Sequence, residues 1–487
     1  MKNSKTHPLG LSGDNGSKLI PSVDQIRKFS KTSGLFQRAF RVITPEHLLI
    51  ALLASVSFAE RSSRAIALEL GICSNIKVSR KAVWDRLKKP AIIKFLQLII
   101  EHVMQHSIAD DNLLECRKKW LESKGKSAMS RVKRVLIGDA STFTLHPSLA
   151  WIFPGSKNQT NVPKAHLKLQ LIVDLLTGKW IHFSFDAYGR SDMKAALDFM
   201  PYIQAGDLLI RDLGYACMAG FQAINDADAF FISRLKSSFQ VYDREGDRIP
   251  LRKTLQKLAP NPGDVVRIPI LMSTSDKVPC VLVARRDPKS IGNLRRRKIR
   301  EHNKTQGFSA PTKRTLQLQN WTILVTNLEP EDADDDQLFQ WYQMRWRIEN
   351  IFKACKSHTS WLKVSQHKTN PNHAKALILS WFLTMVVLAD RGAFRMARFR
   401  AENGVCETGP PDSSGLEFVN FSILKSIGKL MLSFGHQLEL AGCGFDCLEH
   451  HSRMLHYMEI HNQTELQLSR IALVEILELT LDGECLT

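Results

Sequence analysis

The sequence lacks most of what would mark a secreted, membrane-spanning or nucleotide-driven protein. Its nine cysteines are scattered without regular spacing, so no disulfide framework is expected and a reduced compartment fits. The first residues are polar and carry no apolar signal core. The longest apolar run, Ala374 to Ala389, is about 16 residues and is interrupted by Ser380 and Thr384. A spanning helix needs roughly 20, so a buried helix is expected and no membrane partner. No phosphate-cradling glycine loop is present, which implies no nucleotide cofactor, and no Ser-His-Asp arrangement is recognisable. Cys443, Cys447, His450 and His451 come nearest to a zinc pattern. No second ligand pair follows them, so structural thiols and surface histidines are expected there. There is no internal repeat.

Acidic residues are also in short supply. Against 67 Lys and Arg the 487-residue chain has 48 Asp and Glu, a net charge of +19. That balance favours a polyanionic partner, nucleic acid being the commonest. Apolar residues at 44% and charged residues at 24% are ordinary for a globular protein, and the length allows two to four domains.

Along the chain, residues 1–20 read as a loosely ordered polar tail. Thr44-Pro45-Glu46 opens an apolar helix, with Thr as N-cap, Pro at the first helical position and an acid in the first turn. A short helix over Ser63–Gly71 is followed by another that begins after Ser79 with Arg80-Lys81 and stops at Pro90. This is the outline of a helix-turn-helix, and equally of an ordinary helical hairpin with a basic face. More amphipathic helix follows to about Lys124. Then the period changes. Arg134 to Asp139 is an apolar strand ending in a carboxylate. His166–Leu176 and Lys179–Phe185 are strands joined by a Thr177-Gly178 turn. A helix over 192–203, a strand over 207–212 ending in Asp212, a helix over about 215–225 and a strand over 230–235 complete the series. Three strands, helix, strand, helix, strand is the order of a ribonuclease-H-like α/β core, in which ligands gather at carboxyl ends of strands. From Lys236 to about Asn327 no helix is expected. Strands over 265–271, 280–284 and 321–325 surround the basic run Arg295-Arg296-Arg297-Lys298-Ile299-Arg300 as a β-rich insertion. An acidic linker, Glu329–Asp336, comes next. Beyond Trp361 the patterns are helical, broken by a loop over 408–415.

The stretch Trp341–Ser357 sorts at about 100° per residue into two stripes. Trp341, Met344, Ile348, Ile351, Phe352 and Cys355 form an apolar one; Tyr342, Arg345, Glu349, Lys353 and Lys356 form an adjacent polar one. A solvated face with i,i+4 ion pairs has the same outline. The spacing is more specific: Tyr342, two residues, Arg345, three residues, Glu349, six residues, Lys356. This Tyr-Arg-Glu-Lys signature resembles the DDE transposases of bacterial insertion sequences, in particular the insertion-sequence-four group. The resemblance covers about 135–215 and 318–357. It implies that Glu349 is the third of three metal-binding carboxylates. Asp139, followed by Ser141-Thr142, and Asp212 fill the other two positions, Asp174 and Asp186 being rivals placed less well for the second. It further implies that Tyr342, Arg345, Lys353 and Lys356 hold phosphates of the element's end, and that Trp321 stacks on a flipped base. A core tryptophan opening a strand is the competing reading of Trp321.

The chemistry needs such a set. Three carboxylates brought together repel and stay ionised only with cations among them. Two Mg²⁺ ions roughly 4 Å apart, with Mn²⁺ able to substitute, would serve and would promote in-line displacement at phosphorus. Arg295, Arg296, Arg297 and Lys298 are the candidates for tracking DNA phosphates, and Arg80 and Lys81 for contacting the end. The resemblance implies an endonuclease and strand transferase acting on double-stranded DNA, at terminal inverted repeats and at a target. It also implies cut-and-paste movement through a hairpin intermediate, a homodimer in the DNA complex, and a place in the bacterial cytoplasm at the nucleoid. A non-transposing nuclease and a catalytically inactive DNA-binding regulator are the alternatives on the same scaffold. The expected organisation is a helical DNA-binding domain (1–125), the first part of the core (126–236), the insertion (237–326), the core's helix with Glu349 (327–365) and a helical dimerisation domain (366–487).

Overall fold

The computed structural model describes residues 21–37, 43–54, 63–74, 77–106, 131–157, 163–272, 277–358 and 370–402. The expected helix beyond residue 106, the loop over 408–415 and the Cys443–His451 group lie outside them. The strands are β1 (Arg134–Leu145), β2 (Pro154–Lys157), β3 (Pro163–Asp174), β4 (Trp180–Ala187), β5 (Asp207–Arg211), β6 (Phe230–Arg234), β7 (Val241–Tyr242), β8 (Val265–Met272), β9 (Val278–Arg286) and β10 (Trp321–Thr326). They form one ten-stranded sheet in the order β2-β3-β1-β5-β6-β10-β9-β8-β7, with β4 also paired to β3. β1 runs antiparallel to β3 and parallel to β5, and β5 runs parallel to β6.

The central strands are continuous apolar runs because both their faces are covered: Val135, Leu136, Ile137, Leu208, Leu209 and Ile210 are all buried. Their register is pinned at the start. Arg134 donates from Nε to Asp207 Oδ1 at 2.7 Å, and the two residues face one another across β1 and β5. Asp207 is 1% exposed, so this is a buried charge that keeps its partner. Four residues on, Gly138 stands opposite Arg211, which brings Asp139 and Asp212 to neighbouring strands. The Thr177-Gly178 turn between β3 and β4 forms as expected, with Gly178 at φ 78°.

Three sequence expectations are corrected here. β1 does not stop at Asp139 but continues to Leu145, because Phe143 and Leu145 alternate inward and pair with β3 as far as Ala165. Asp139 is therefore mid-strand, whereas Asp212 directly follows β5. The helix expected over 192–203 is a single turn, α6 (Asp192–Ala195), followed by a 3-10 turn at Met200–Tyr202; Pro201 has no N–H with which to continue a helix. The segment expected to hold no helix contains three: α8 (Leu251–Leu258), α9 (Lys289–Gln306) and α10 (Lys313–Leu318). α8 buries Leu251 and Leu255, whereas α9 has little apolar period to show because arginines do part of its anchoring. Arg295 of α9 donates to Asp287 Oδ2 at 2.7 Å and to Thr322 Oγ1 at 2.9 Å, and Arg296 donates to Asn320 Oδ1 at 2.7 Å. Nor do the strands of this segment form a sheet of their own, since β10 joins β9 to β6 and extends the central one.

The N-terminal helices are α1 (Val23–Thr32), α2 (Pro45–Ala54), α3 (Ser63–Ser74), α4 (Arg80–Leu87) and α5 (Pro90–Gln105); α7 (Met218–Asp226) lies between β5 and β6. The expected caps are present, Thr44 Oγ1 accepting from His47 N at 3.2 Å and Ser79 Oγ from Ala82 N at 3.2 Å. α13 (Pro371–Glu402) packs on α5 and α2 and reaches the sheet, where Phe382 meets Trp180, Phe183 and Phe185 and Trp381 meets Phe143. Residues 371–386 thus share one hydrophobic cluster with the N-terminal helices and the sheet, rather than starting a separate appendage. Among the described residues no helix is long and apolar enough to cross a membrane. Phe382→Ala should therefore cost about 3–5 kcal/mol, the usual range for emptying a buried phenylalanine site, in urea unfolding followed by tryptophan fluorescence. A transition unmoved by the substitution would show that α13 is not part of this core.

Candidate active site

The signature stretch begins with a capping box, Asp334 and Gln337 each accepting from the other's backbone N–H. α11 (Asp335–Gln343) tightens into a 3-10 turn at Met344–Trp346 and continues as α12 (Arg347–His358). The path is helical throughout, with one tight turn where an unbroken helix is expected. The apolar stripe is where its period puts it: Trp341, Met344, Ile348, Ile351, Phe352 and Cys355 are all buried. Burial of that stripe against the core turns the polar stripe toward β1 and the end of β5.

There the three carboxylates converge on Arg345. Its guanidinium lies 2.9 Å from Glu349 Oε1, 3.2 Å from Asp139 Oδ2 and 3.7 Å from Asp212 Oδ1. The Asp139 and Arg345 side chains are both 19% exposed, whereas Asp212 and Glu349 are about half exposed, at 47% and 44%. Burial pushes Asp139 up to about 6, and the like charges of Asp212 and Glu349 add to this, against the Ala140 N–H and Arg345. Burial likewise raises Tyr342 to about 12, with Asp212 contributing, so its phenol stays a donor. Burial alone would lower Arg345, but the surrounding negative charge leaves it raised.

Lys356 donates to Ser141 Oγ at 2.7 Å and lies 4.9 Å above the Phe143 ring, two and four residues along β1 from Asp139. Lys353 is exposed on α12. Tyr342, Arg345, Glu349 and Lys356 are therefore brought to the two aspartates as the spacing implies. The rivals sit elsewhere: Asp174 is buried in the β3–β4 turn, where it accepts from Thr177 Oγ1 at 2.6 Å, and Asp186 pairs with Arg190 at 2.9 Å.

Trp321 does not join the site. It is 4% exposed, donates from Nε1 to Ala259 O at 3.1 Å and is faced by Arg286 at 4.1 Å, so it is a core residue opening β10. The basic run divides. Arg295 and Arg296 are tied inward as described, while Arg297, Lys298 and Arg300 are exposed on the outer face of α9, which ends at Gly307 with φ 69°. Arg80 and Lys81 are exposed on the first turn of α4.

Two residues near the site, Trp346 and Arg234, are not picked out by the sequence. Trp346 is an exposed aromatic between Arg345 and Glu349. Arg234 ends β6 and favours the ionised form of Tyr342. The position of Arg234, ending the strand that follows Asp212, is the signal that could have found it.

As a cation site the carboxylates fit in chemistry and direction: three hard oxygen donors from different elements reach one positive charge. Among the described residues, however, no three His, Cys, Asp or Glu side chains stand close enough together to hold a metal ion. Arg345 supplies the positive charge between them.

The raised Asp139 has a measurable consequence. The folded chain favours its protonated form, so stability is lost as pH rises from about 4 through about 6. Metal-free Asp139→Asn should be more stable than the parent at pH 7.5, on the order of 2 kcal/mol, with the gain vanishing near pH 4. Denaturant melts at the two pH values measure this, and a pH-independent difference would contradict it.

A family profile described as a transposase DDE domain matches residues 130–385. The transposase for insertion sequence element IS231E of Bacillus thuringiensis subsp. finitimus is 26% identical over 331 residues, 63% of this chain and 65% of that protein. The match thus spans just under two thirds of that relative's length. The transposase for IS231C of Bacillus thuringiensis subsp. berliner is 24% identical over 355 residues, covering 70% of this chain and 71% of the relative. The transposase for IS1151 of Clostridium perfringens is 20% identical over 349 residues, covering 69% and 71%. A cryo-EM structure of the piggyBac transposase synaptic complex with hairpin DNA aligns over 86% of this chain and 80% of that one, at 10% identity and a TM-score of 0.37. With a profile match over more than half its length, and with the Tyr-Arg-Glu-Lys signature in the matched segment, the chain belongs to the transposase DDE domain family.

Proposed function

We propose that this chain is a DNA transposase that cleaves phosphodiester bonds at the ends of an insertion sequence and joins the freed 3′ ends to a target duplex, with Asp139, Asp212 and Glu349 as its catalytic carboxylates. The observation that carries this is their convergence on Arg345 from mid-β1, from the loop after β5 and from α12. The strand order β4-β3-β1-β5-β6, three antiparallel strands followed by two parallel ones, supports a ribonuclease-H-like core beneath them.

Asp139, Asp212 and Glu349 would hold two Mg²⁺ ions, or Mn²⁺. Bound there, the ions would supply Lewis acidity for activating a water or 3′-hydroxyl and for steadying the leaving oxygen. The chain's own groups do the rest. Arg345 compensates the carboxylates before DNA arrives and then offers its guanidinium to a phosphate. Tyr342 donates its phenolic proton to another, and Lys353 and Lys356 present cations along the same helix. The outer face of α9 (Arg297, Lys298 and Arg300) and the start of α4 (Arg80 and Lys81) bind duplex phosphates. The division into an end-reading N-terminal domain, a core carrying an insertion and a dimerising C-terminal domain belongs to this proposal, as do the homodimer and the hairpin route.

Glu349→Gln should abolish Mg²⁺-dependent cleavage of an end duplex while leaving end binding within a few-fold, by gel cleavage and mobility-shift assays. A variant that cuts at the parent rate would remove Glu349 from the centre. Parent protein that nicks but never joins would be a non-transposing nuclease; parent that binds and never cuts would be a regulator. A second outcome concerns α9. Each phosphate contact contributes about 0.9 to the slope of log affinity against log salt. Arg297→Ala, Lys298→Ala and Arg300→Ala together should lower that slope by roughly 2–3, whereas Arg295→Ala should lower the melting temperature and leave the slope alone. The reverse assignment would overturn the division of the cluster.

A further inference from the structure

Asp212 is the most exposed of the three carboxylates, and its one ion pair, to Arg345, is the longest of the three at 3.7 Å. Its direction therefore depends on the backbone that carries it. That backbone is a tight loop: Asp212 precedes a 3-10 turn over Leu213–Tyr215, and Tyr215 N donates back to Asp212 O at 3.1 Å. The residues around Asp212 are tied down in sequence. Arg211 lies half-buried between the rings of Phe199 and Tyr215, 3.7 and 4.0 Å from their centroids, and donates to Ala196 O at 3.1 Å. Gly214 lies against Asp192, whose Oδ2 would be 3.1 Å from any Cβ placed there. The Tyr215 hydroxyl donates to Gln170 Oε1 on β3, and Gln170 Nε2 reaches Asp192 Oδ1 at 3.4 Å. Lys236 donates to Ala216 O at 2.7 Å.

We infer that Tyr215, seated by Arg211 and hydrogen-bonded to Gln170, is a positioning residue that fixes the Asp212 carboxylate for its part in the proposed metal centre. This rests on the function proposed above. The Tyr215–Gln170 bond ties the loop carrying Asp212 to β3, which is paired along its length with β1, the strand carrying Asp139. It thus adds a second tie, beside the β1–β5 pairing, between the loop of Asp212 and the strand of Asp139. Outer groups that orient a carboxylate ligand typically matter 10–100-fold in metal affinity.

Tyr215→Phe removes the hydroxyl and leaves the ring to stack on Arg211, so the fold is expected to survive. In the full chain, Mn²⁺ affinity measured by electron paramagnetic resonance of free Mn²⁺ should fall about 10-fold or more, and the Mn²⁺ or Mg²⁺ concentration for half-maximal cleavage should rise in step. End-DNA affinity should not change. Gln170→Leu, which also gives up the 3.4 Å contact to Asp192, should give at least the same shift, and the double variant no more than Gln170→Leu alone, because both break the Tyr215–Gln170 bond. Tyr215→Phe with parental Mn²⁺ affinity, in a background where Asp212→Asn loses it, would overturn the positioning role alone. Asp212→Asn with parental Mn²⁺ affinity would overturn the metal-centre reading and this inference with it. A lowered melting temperature with unchanged Mn²⁺ affinity would reduce Tyr215 to a packing residue.

Discussion

Arg345 is shared among three carboxylates that come from parts of the chain far apart in sequence, and the arrangement is intelligible only as an electrostatic requirement. Asp139, Asp212 and Glu349 brought within reach of one another repel, and a half-buried guanidinium between them is what lets them coexist without a bound cation. The compensation is incomplete at Asp139, whose burial still favours the protonated carboxyl. A group held so far from its ordinary behaviour in a site built from three elements is typical of functional centres. The rest of the structure serves this convergence. The buried apolar stripe of α11 and α12 sets the rotation of the signature helix, and the Arg134–Asp207 pair sets the register of β1 on β5.

Arginine has two separate uses in this molecule, and the excess of positive charge conceals the difference. Arg134, Arg211, Arg295 and Arg296 are structural: each is tied to a carboxylate, a carbonyl, an amide or an aromatic face inside the fold. Arg297 and Arg300, with Lys298, are surface charge on α9. Only the second kind is exposed on the surface, so a net charge of +19 overstates the positive charge a polyanion could meet. The fork of a guanidinium, with its several donors at fixed angles, suits it to both uses.

Much of the core was legible because it rests on hydrophobic period. The strand runs around Val135–Ile137 and Leu208–Ile210, the Thr177-Gly178 turn, the caps at Thr44 and Ser79 and the two stripes of 341–357 all follow from local rules. What escaped depends on partners distant in sequence. β1 continues past Asp139 because β3 lies beside it, and the short alternation of Thr142–Leu145 announces this only weakly. α9 was hidden because arginines, not leucines, anchor its inner face. Trp321 has the same local sequence whether it is core or base-stacking; only the closeness of Ala259 O and Arg286 decides. At the site, spacing located Glu349 and strand order located the aspartates, but the Tyr215–Gln170 bond could be recognised only once the sheet had brought its two residues together.

The proposed catalytic centre requires the three carboxylates to take up divalent ions which contact the scissile phosphate. Its most direct test is cleavage of an end whose scissile phosphate carries sulfur in place of the 3′-bridging oxygen. Mg²⁺ binds sulfur poorly and Mn²⁺ tolerates it better, so cleavage should be lost in Mg²⁺ and recovered in Mn²⁺. Equal loss in both ions, or no loss in either, would contradict a metal contact at the leaving oxygen.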